Sequence, residues 1–355
     1  MNQNRKVIIL TNTLGNGGAQ RMAVRLANNL SRNHTVFFLP FSCERSYELS
    51  ERVNMVNWDI PDIQKSGVWR PVAILWSRIK GYFFFSLLRI REKPDATLSF
   101  LHKPDKLNLL ALGGGRKVVS ERNNPMGRGK KYFRESCRIF RKADKVVFQS
   151  ETIRNLFPVQ IAMKGVVVPN FVEVTCKASE AKNRIVTIGR LHPQKNHALL
   201  IRAFSRFLAG HPDYTLHIYG HGDMINEMEK LIASLSLGNK VFIEGFELDV
   251  HKCIADARMF VLSSDYEGMP NALLEAMMMG LPCVTTSFEG SDEFFSGTDS
   301  CLMVPLKDEL ALADAMSRLA DDDEFRSTLS ERGEAFAQRY SPEHIIPLWE
   351  EALWG

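Results

Sequence analysis

What the 355-residue chain lacks narrows it first. Its six cysteines (Cys43, Cys137, Cys176, Cys253, Cys283 and Cys301) are scattered, with no C-x-x-C pair and no histidine at zinc spacing. Neither a disulfide framework nor a structural zinc site is expected, which fits a reducing cytoplasm. Near the N-terminus the only apolar run is the four residues 7–10, after which polar residues and glycines return. An export signal needs a longer apolar segment. The most membrane-like stretch, residues 68–91, is interrupted by Arg70, Arg78, Lys80 and Arg89, whereas a spanning helix needs about 20 mostly apolar residues. No recognised nucleic-acid-binding module is present, so nucleic acid is not an expected partner.

What is there suits two domains. At about 150 residues per domain the length implies two, and 45% hydrophobic residues suffice for a core in each. The formal net charge of +4 hides a strong asymmetry. Residues 1–172 carry 29 Lys and Arg against 12 Asp and Glu, a balance of +17; residues 173–355 carry 16 against 29, a balance of −13. A basic half joined to an acidic half predicts that one side faces something anionic.

Short apolar runs alternate with helical patterns at residues 7–10, 35–39, 96–101, 117–120, 145–150 and 166–169. After a break at Pro169-Asn170 a second series follows at 185–189, 215–220, 240–245, 259–264, 282–287 and 302–305. Strands this apolar, spaced by helix lengths, are buried on both faces, which means parallel sheets covered by helices. The expected fold is therefore α/β, with two facing Rossmann-like doubly wound domains over 1–172 and 173–340 and a ligand cleft at the C-terminal ends of their strands. Segment 341–355 starts with Ser341-Pro342 and carries Ile345, Ile346, Leu348, Trp349 and Leu353. It reads as a helix packing across the domain junction, with the first domain the favoured surface and the direction not fixed by the sequence alone.

Three stretches carry chemistry. Gly17 and Gly18, in the loop 11–20, stand between a strand and an amphipathic helix, where glycines let backbone N–H groups approach an anion; a mere turn is the alternative. Arg190 and Lys195 lie between the strand at 185–189 and the helix that follows. Cations are unfavourable at a helix N-terminus, so an anion held between them explains the pair better than two solvated charges do. Glu267 follows the strand at 259–264, Pro270 suits a helix start, and Glu275 falls inside an apolar helix ending at Gly280. A carboxylate there needs a ligand or a charge partner unless it snorkels. The loop Gly268-Met269-Pro270-Asn271 offers N–H groups at the helix start.

Taken in order, GGAQ (17–20), SERNNP (120–125), GRLHPQKNH (189–197), IYGHGD (218–223) and the Glu-x7-Glu pair EGMPNALLE (267–275) resemble the family 4 retaining glycosyltransferases. They span nearly the whole chain. The resemblance implies the two-domain arrangement called GT-B. It gives Arg190 and Lys195 to the donor diphosphate, Glu267 to the hydroxyls of the transferred sugar, Glu275 to the nucleoside ribose, and backbone near Gly222 and Phe246 to the base. Gly17, Gly18, Gly268, Met269, Pro270, Asn271 and Leu274 are expected along the donor, and Arg122 and Asn123 on the acceptor side. His102, after the fourth strand, takes the place of the catalytic histidine of some members, with a surface loop histidine as the alternative. The fifth strand instead ends in Ser120-Glu121-Arg122, and FSGTDSCLMVP lacks the usual turn before its strand.

The implied reaction moves a sugar from a nucleotide sugar, a UDP-hexose or UDP-N-acetylhexosamine, to a lipid-linked saccharide in bacterial polysaccharide or glycan assembly. Cations and N–H dipoles stabilise the leaving diphosphate, the anomeric configuration is retained, and no metal or other cofactor is expected. Asp321-Asp322-Asp323 reads as a solvated acidic face. From Arg116 to Lys145 there are 11 Lys and Arg against 3 Asp and Glu, mixed with Tyr132, Phe133, Ile139 and Phe140, while residues 68–91 add Trp69, Trp76 and three phenylalanines. Such a surface is expected to rest on anionic lipid, peripheral to the inner face of the cytoplasmic membrane; an ordinary buried helix is the alternative for 68–91. Two competing functions are a sugar-nucleotide epimerase of the same architecture and an inactive nucleotide-sugar-binding subunit. The epimerase would need acid/base residues around the anomeric centre, and the intact Glu267, Glu275, Arg190 and Lys195 argue against the inactive subunit.

Overall fold

The computed structural model describes residues 4–15, 17–45, 47–57, 70–122 and 129–355. The chain begins β1 (Lys6–Leu14), α1 (Gly18–Leu30), β2 (Thr35–Arg45), β3 (Asn54–Met55), α2 (Arg70–Glu92) and β4 (Ala96–Phe100). It continues α3 (His102–Leu110), β5 (Arg116–Glu121), α4 (Lys130–Phe140), β6 (Lys145–Phe148), α5 (Glu151–Asn155), α6 (Val159–Ala162) and β7 (Gly165–Val167). These seven strands form one parallel sheet in the order β3-β2-β1-β4-β5-β6-β7. Val7, Ile8, Ile9 and Leu10 are fully buried, as are Leu98, Val118, Val119, Val146 and Val147. A central strand covered by helices on both faces has no solvent side, which is why these runs do not alternate.

The second series runs β8 (Lys182–Ile188), α7 (His197–Phe207), β9 (Thr215–Tyr219), α8 (Ile225–Ser234), β10 (Val241–Gly245), α9 (Val250–Ile254) and β11 (Ala257–Leu262). It ends α10 (Asn271–Met279), β12 (Cys283–Thr286), α11 (Ser291–Phe295), β13 (Leu302–Val304), α12 (Glu309–Asp321), α13 (Asp323–Ala337) and α14 (Pro342–Trp354). Its six strands are again parallel, in the order β10-β9-β8-β11-β12-β13. In both sheets the order reverses at the first strand of the series, the place where doubly wound sheets open a crevice for ligands.

Two strand features escape the apolar pattern. β1 continues beyond Leu10 through Thr11, Asn12 and Thr13 to Leu14, because β2 pairs with it through Thr13↔Ser42 and, after a register shift, Leu14↔Arg45. β3 is a two-residue edge, held by Phe37↔Asn54 and Phe38↔Met55.

The chain divides into two compact units: Met1–Asn170 with Glu343–Gly355, and Phe171–Pro342. In the first, α14 buries Trp349 completely, with its ring 5.9 Å from that of Phe100. The Arg122 guanidinium lies 4.6 Å over the Trp349 ring. Its Nη1 donates to Val168 O at 2.7 Å and Asn170 Oδ1 at 3.2 Å, and its Nε donates to Ser120 Oγ at 2.7 Å. Burial lowers the Arg122 pKa to about 9. Through Nη1, Nε and its stacking on Trp349, Arg122 holds α14 to the ends of β5 and β7, while its Nη2 is buried with no hydrogen-bond partner among the described residues. Asn123 lies outside the described residues.

Candidate active site

The second unit gathers three loops at the C-terminal ends of β8, β9 and β11. Their closeness requires glycine. A Cβ on Gly220, whose φ is +152°, would fall 1.9 Å from Gly189 O, and one on Gly222 would fall 2.3 Å from Leu191 O. Backbone therefore packs on backbone, with Gly189 N–H donating to Tyr219 O and Leu191 N–H to His221 O. The Lys195 stem passes over Gly189, where a Cβ would stand 3.2 Å from it. Lys195 ends a short 3-10 turn, Pro193–Lys195, whose first N–H groups include that of Gln194, accepted by His192 Nδ1. Asn196 then takes a left-handed φ of 45° and caps α7 by accepting from Leu199 N–H.

This geometry brings Lys195 against Glu267. Lys195 Nζ lies 2.7 Å from Glu267 Oε1, with side chains only 17% and 6% exposed. Ser264 donates to the same oxygen at 2.5 Å, and Gln194 Nε2 donates to Tyr266 O at 2.7 Å while reaching Glu267 Oε2 at 3.4 Å. Asn196 Nδ2 donates to Asp265 Oδ1 at 2.9 Å, tying the two loops once more. The anion that offsets a cation beside the α7 N-terminus is thus a carboxylate of the protein itself. Arg190 is exposed and forms no ion pair among the described residues.

On α10, Glu275 is buried, and His251 Nε2 lies 3.4 Å from its Oε2. Thr175 N–H donates to His251 Nδ1 at 3.2 Å. An Nδ1 that accepts leaves the ring proton on Nε2, so His251 donates to Glu275. The buried Glu275 does not snorkel. Two donor-loop expectations need correcting. The Asn271 N–H is not free, since it donates to Met269 O at 2.9 Å. The Leu274 side chain belongs to the hydrophobic core, and its N–H donates to Pro270 O. Met269 and Pro270 are buried, and Gly268 is half-buried. Phe246 is exposed, meeting the His221 ring edge-on at 5.7 Å beside Gly222.

In the first unit, Gly17 precedes α1, whose N-terminus has no side-chain cap and no acidic residue in its first turn. A Cβ on Gly17 would strike Gln20 Oε1 at 2.3 Å, whereas Gly18 has open space. His102 starts α3 and is no loose surface histidine. Its Nε2 lies 2.8 Å from Glu135 Oε2, its Nδ1 is buried with no hydrogen-bond partner among the described residues, and its ring sits 5.1 Å from that of Tyr132. Lys106 Nζ joins Glu135 at 3.0 Å, and Lys106 and His102 together hold the Glu135 carboxyl down to about 2. Sequence reading missed Gln194, Ser264, His251 and Glu135. The first two sit inside or beside quoted motifs, but the others come from distant segments that carry no local pattern.

Residues 176–336 match the family described as "Glycosyl transferases group 1". Over 95% of this chain and 96% of the relative, the sequence is 25% identical to the N-acetylgalactosamine-N,N'-diacetylbacillosaminyl-diphospho-undecaprenol 4-alpha-N-acetylgalactosaminyltransferase of Campylobacter jejuni. Among solved structures, HepE of Anabaena in complex with UDP and glucose superposes with a TM-score of 0.78 at 17% identity, covering 99% of both chains. TarM superposes with a TM-score of 0.80 at 14% identity, again over 99% of both. With its two parallel-sheet units and these likenesses, the chain has the GT-B fold, and its residues 176–336, which hold the Glu-x7-Glu helix start, match the group 1 glycosyl transferases.

Proposed function

We propose that the chain is a glycosyltransferase that moves a hexose or N-acetylhexosamine from a UDP-sugar to a lipid-linked saccharide, with retained anomeric configuration and without a metal ion, at the inner face of the cytoplasmic membrane. The observation that carries the reading is the half-buried Lys195–Glu267 pair, steadied by Ser264 and Gln194 and standing five residues from the exposed Arg190. A sugar hydroxyl donating to Glu267 competes with Lys195 for that carboxylate and turns the ammonium toward the diphosphate. Arg190 and Lys195 then meet the charge that grows on the leaving group as the sugar–phosphate bond breaks, the task a metal performs elsewhere. Glu275, oriented by His251, faces the ribose. The UDP bound to HepE supports the choice of nucleotide. The diphospho-undecaprenol in the name of the Campylobacter jejuni relative supports the acceptor class.

The test is transfer by the purified protein from UDP-sugars to an undecaprenyl-diphosphate-linked saccharide in excess EDTA. UDP should form only when acceptor is present, with the product linkage keeping the donor's configuration by NMR. Donor turnover without acceptor would favour an epimerase, and donor binding without turnover an inactive subunit. Loss in EDTA restored by manganese or magnesium would overturn metal independence. Lys195→Ala and Arg190→Ala should each lower turnover about 100-fold, since each removes a contact that strengthens in the transition state.

A further inference from the structure

Helix α2 has two faces that cannot exchange. Its inner face buries Phe85, Leu88 and the whole of Arg89. The Arg89 guanidinium donates to the carbonyls of Ala111, Gly114 and Gly115 at 2.7–3.2 Å. A buried cation satisfied by backbone carbonyls fixes the rotation of the helix about its own axis, because any other rotation strands that charge away from its acceptors.

The outer face is then apolar and in solvent. Trp76, Ile79, Phe83, Leu87 and Ile90 are exposed, with Trp76 at 59%, Phe83 at 60% and Leu87 at 65%. At 3.6 residues per turn these five fall within about 80° of arc and run for about 21 Å along the helix. Leu112 extends the stripe sideways: it is exposed, and its N–H donates to Ser86 Oγ of α2. Exposed Lys80 and Arg91 border one side; Arg91 Nε donates to Glu92 Oε1 at 2.8 Å at the end of the helix, and no aspartate or glutamate occurs between residues 70 and 91. Contiguous exposed apolar surface on this scale marks an interaction site. With Lys80 forming no ion pair among the described residues and Glu92, at the helix end, the one carboxylate on α2, the border favours an anionic occupant.

We infer that the outer face of α2 is the element by which the chain enters an anionic bilayer, lying in the headgroup–acyl boundary with Trp76, Phe83 and Leu87 below the headgroups and Lys80 and Arg91 against the phosphates. The inference rests on the membrane-surface part of the proposed function and adds the element, its depth and its orientation. Among the described residues no helix is long and apolar enough to cross a membrane. An interfacial helix buries one face by about 5–10 Å and does not cross.

The experiment uses the full chain with vesicles of 30 mol% phosphatidylglycerol in phosphatidylcholine. Phe83→Ser/Leu87→Ser should weaken co-sedimentation at least tenfold while leaving the thermal unfolding midpoint unchanged. Brominated acyl chains should quench the wild-type tryptophan fluorescence, and Trp76→Phe should remove at least half of that quenching. Wild-type binding by the double variant, or full quenching in Trp76→Phe, would overturn the assignment. If the double variant instead converted a lipid-free dimer to a monomer, the face would belong to a second copy of the chain and the bilayer proposal would fall. Transfer to detergent-dispersed acceptor reads the proposed activity without a bilayer. Failure of that transfer with intact vesicle binding would sink the function and leave the docking face standing.

Discussion

His197 shows how the donor site sets its own acid limit. The imidazole is buried at the start of α7, its Nε2 is 3.3 Å from Arg190 O, and burial, with the Lys195 charge adding to it, depresses its pKa to about 4. In the unfolded chain the ordinary value is about 6.5. Between these values the unfolded state binds a proton that the folded state refuses, so stability falls as pH drops from about 6.5 toward 4, by about 3 kcal/mol in total from this group. Denaturant unfolding at pH 7 and pH 4 should show that His197→Gln loses correspondingly less stability than the wild type over the interval. Residues differ in how far sequence reveals them. Arg190, Lys195, Glu267 and Glu275 were legible because strand ends and helix starts break the expected charge rules there. His251 and Glu135 were not, since they meet Glu275 and His102 across 24 and 33 residues of intervening chain. The packing of Arg122 on Trp349 was not visible either, because a motif match says nothing of the direction in which a guanidinium points.

Helices and strands were mostly legible as elements, and for one reason: a parallel strand covered on both faces has to be a continuous apolar run. β3 escaped because two residues on a sheet edge need no such run. The pairing of α14 with β4 and β5 was only half visible, since its apolar residues announce a covered surface without naming the surface. That pairing depends on Trp349, which fills the space between Phe100 and Arg122. Trp349→Ala should cost about 3–5 kcal/mol by opening a cavity. Hydrogen exchange should then rise in β4 and β5, while β8 and β11 keep their protection. Equal loss in both sheets would mean that the helix steadies more than the unit it packs in.

For the whole molecule, a balance of +17 on residues 1–172 against −13 on the remainder makes the chain an electrical dipole. Binding to the phosphatidylglycerol vesicles should weaken as salt rises, because surface attraction is screened over about 10 Å at 0.1 M salt. Lys130, Lys131 and Arg134 are exposed on α4. Each such cation is worth about 1 kcal/mol near an anionic surface, so reversing all three to glutamate should weaken vesicle binding about tenfold or more and leave UDP affinity unchanged. Salt-independent binding would remove the electrostatic share of the membrane reading. The division of the chain also orders its synthesis. Residues 171–342 are uninterrupted, whereas the first unit is completed only by Glu343–Gly355. At about 5–20 residues per second, roughly ten to forty seconds separate the ribosome's delivery of Asn170 from that of Trp349. Through that interval the second unit is free to fold, while the seven-stranded sheet waits with Phe100 and Arg122 uncovered. The unit translated first is therefore the one finished last, and its Trp349 site stays open for the time the ribosome takes to close it.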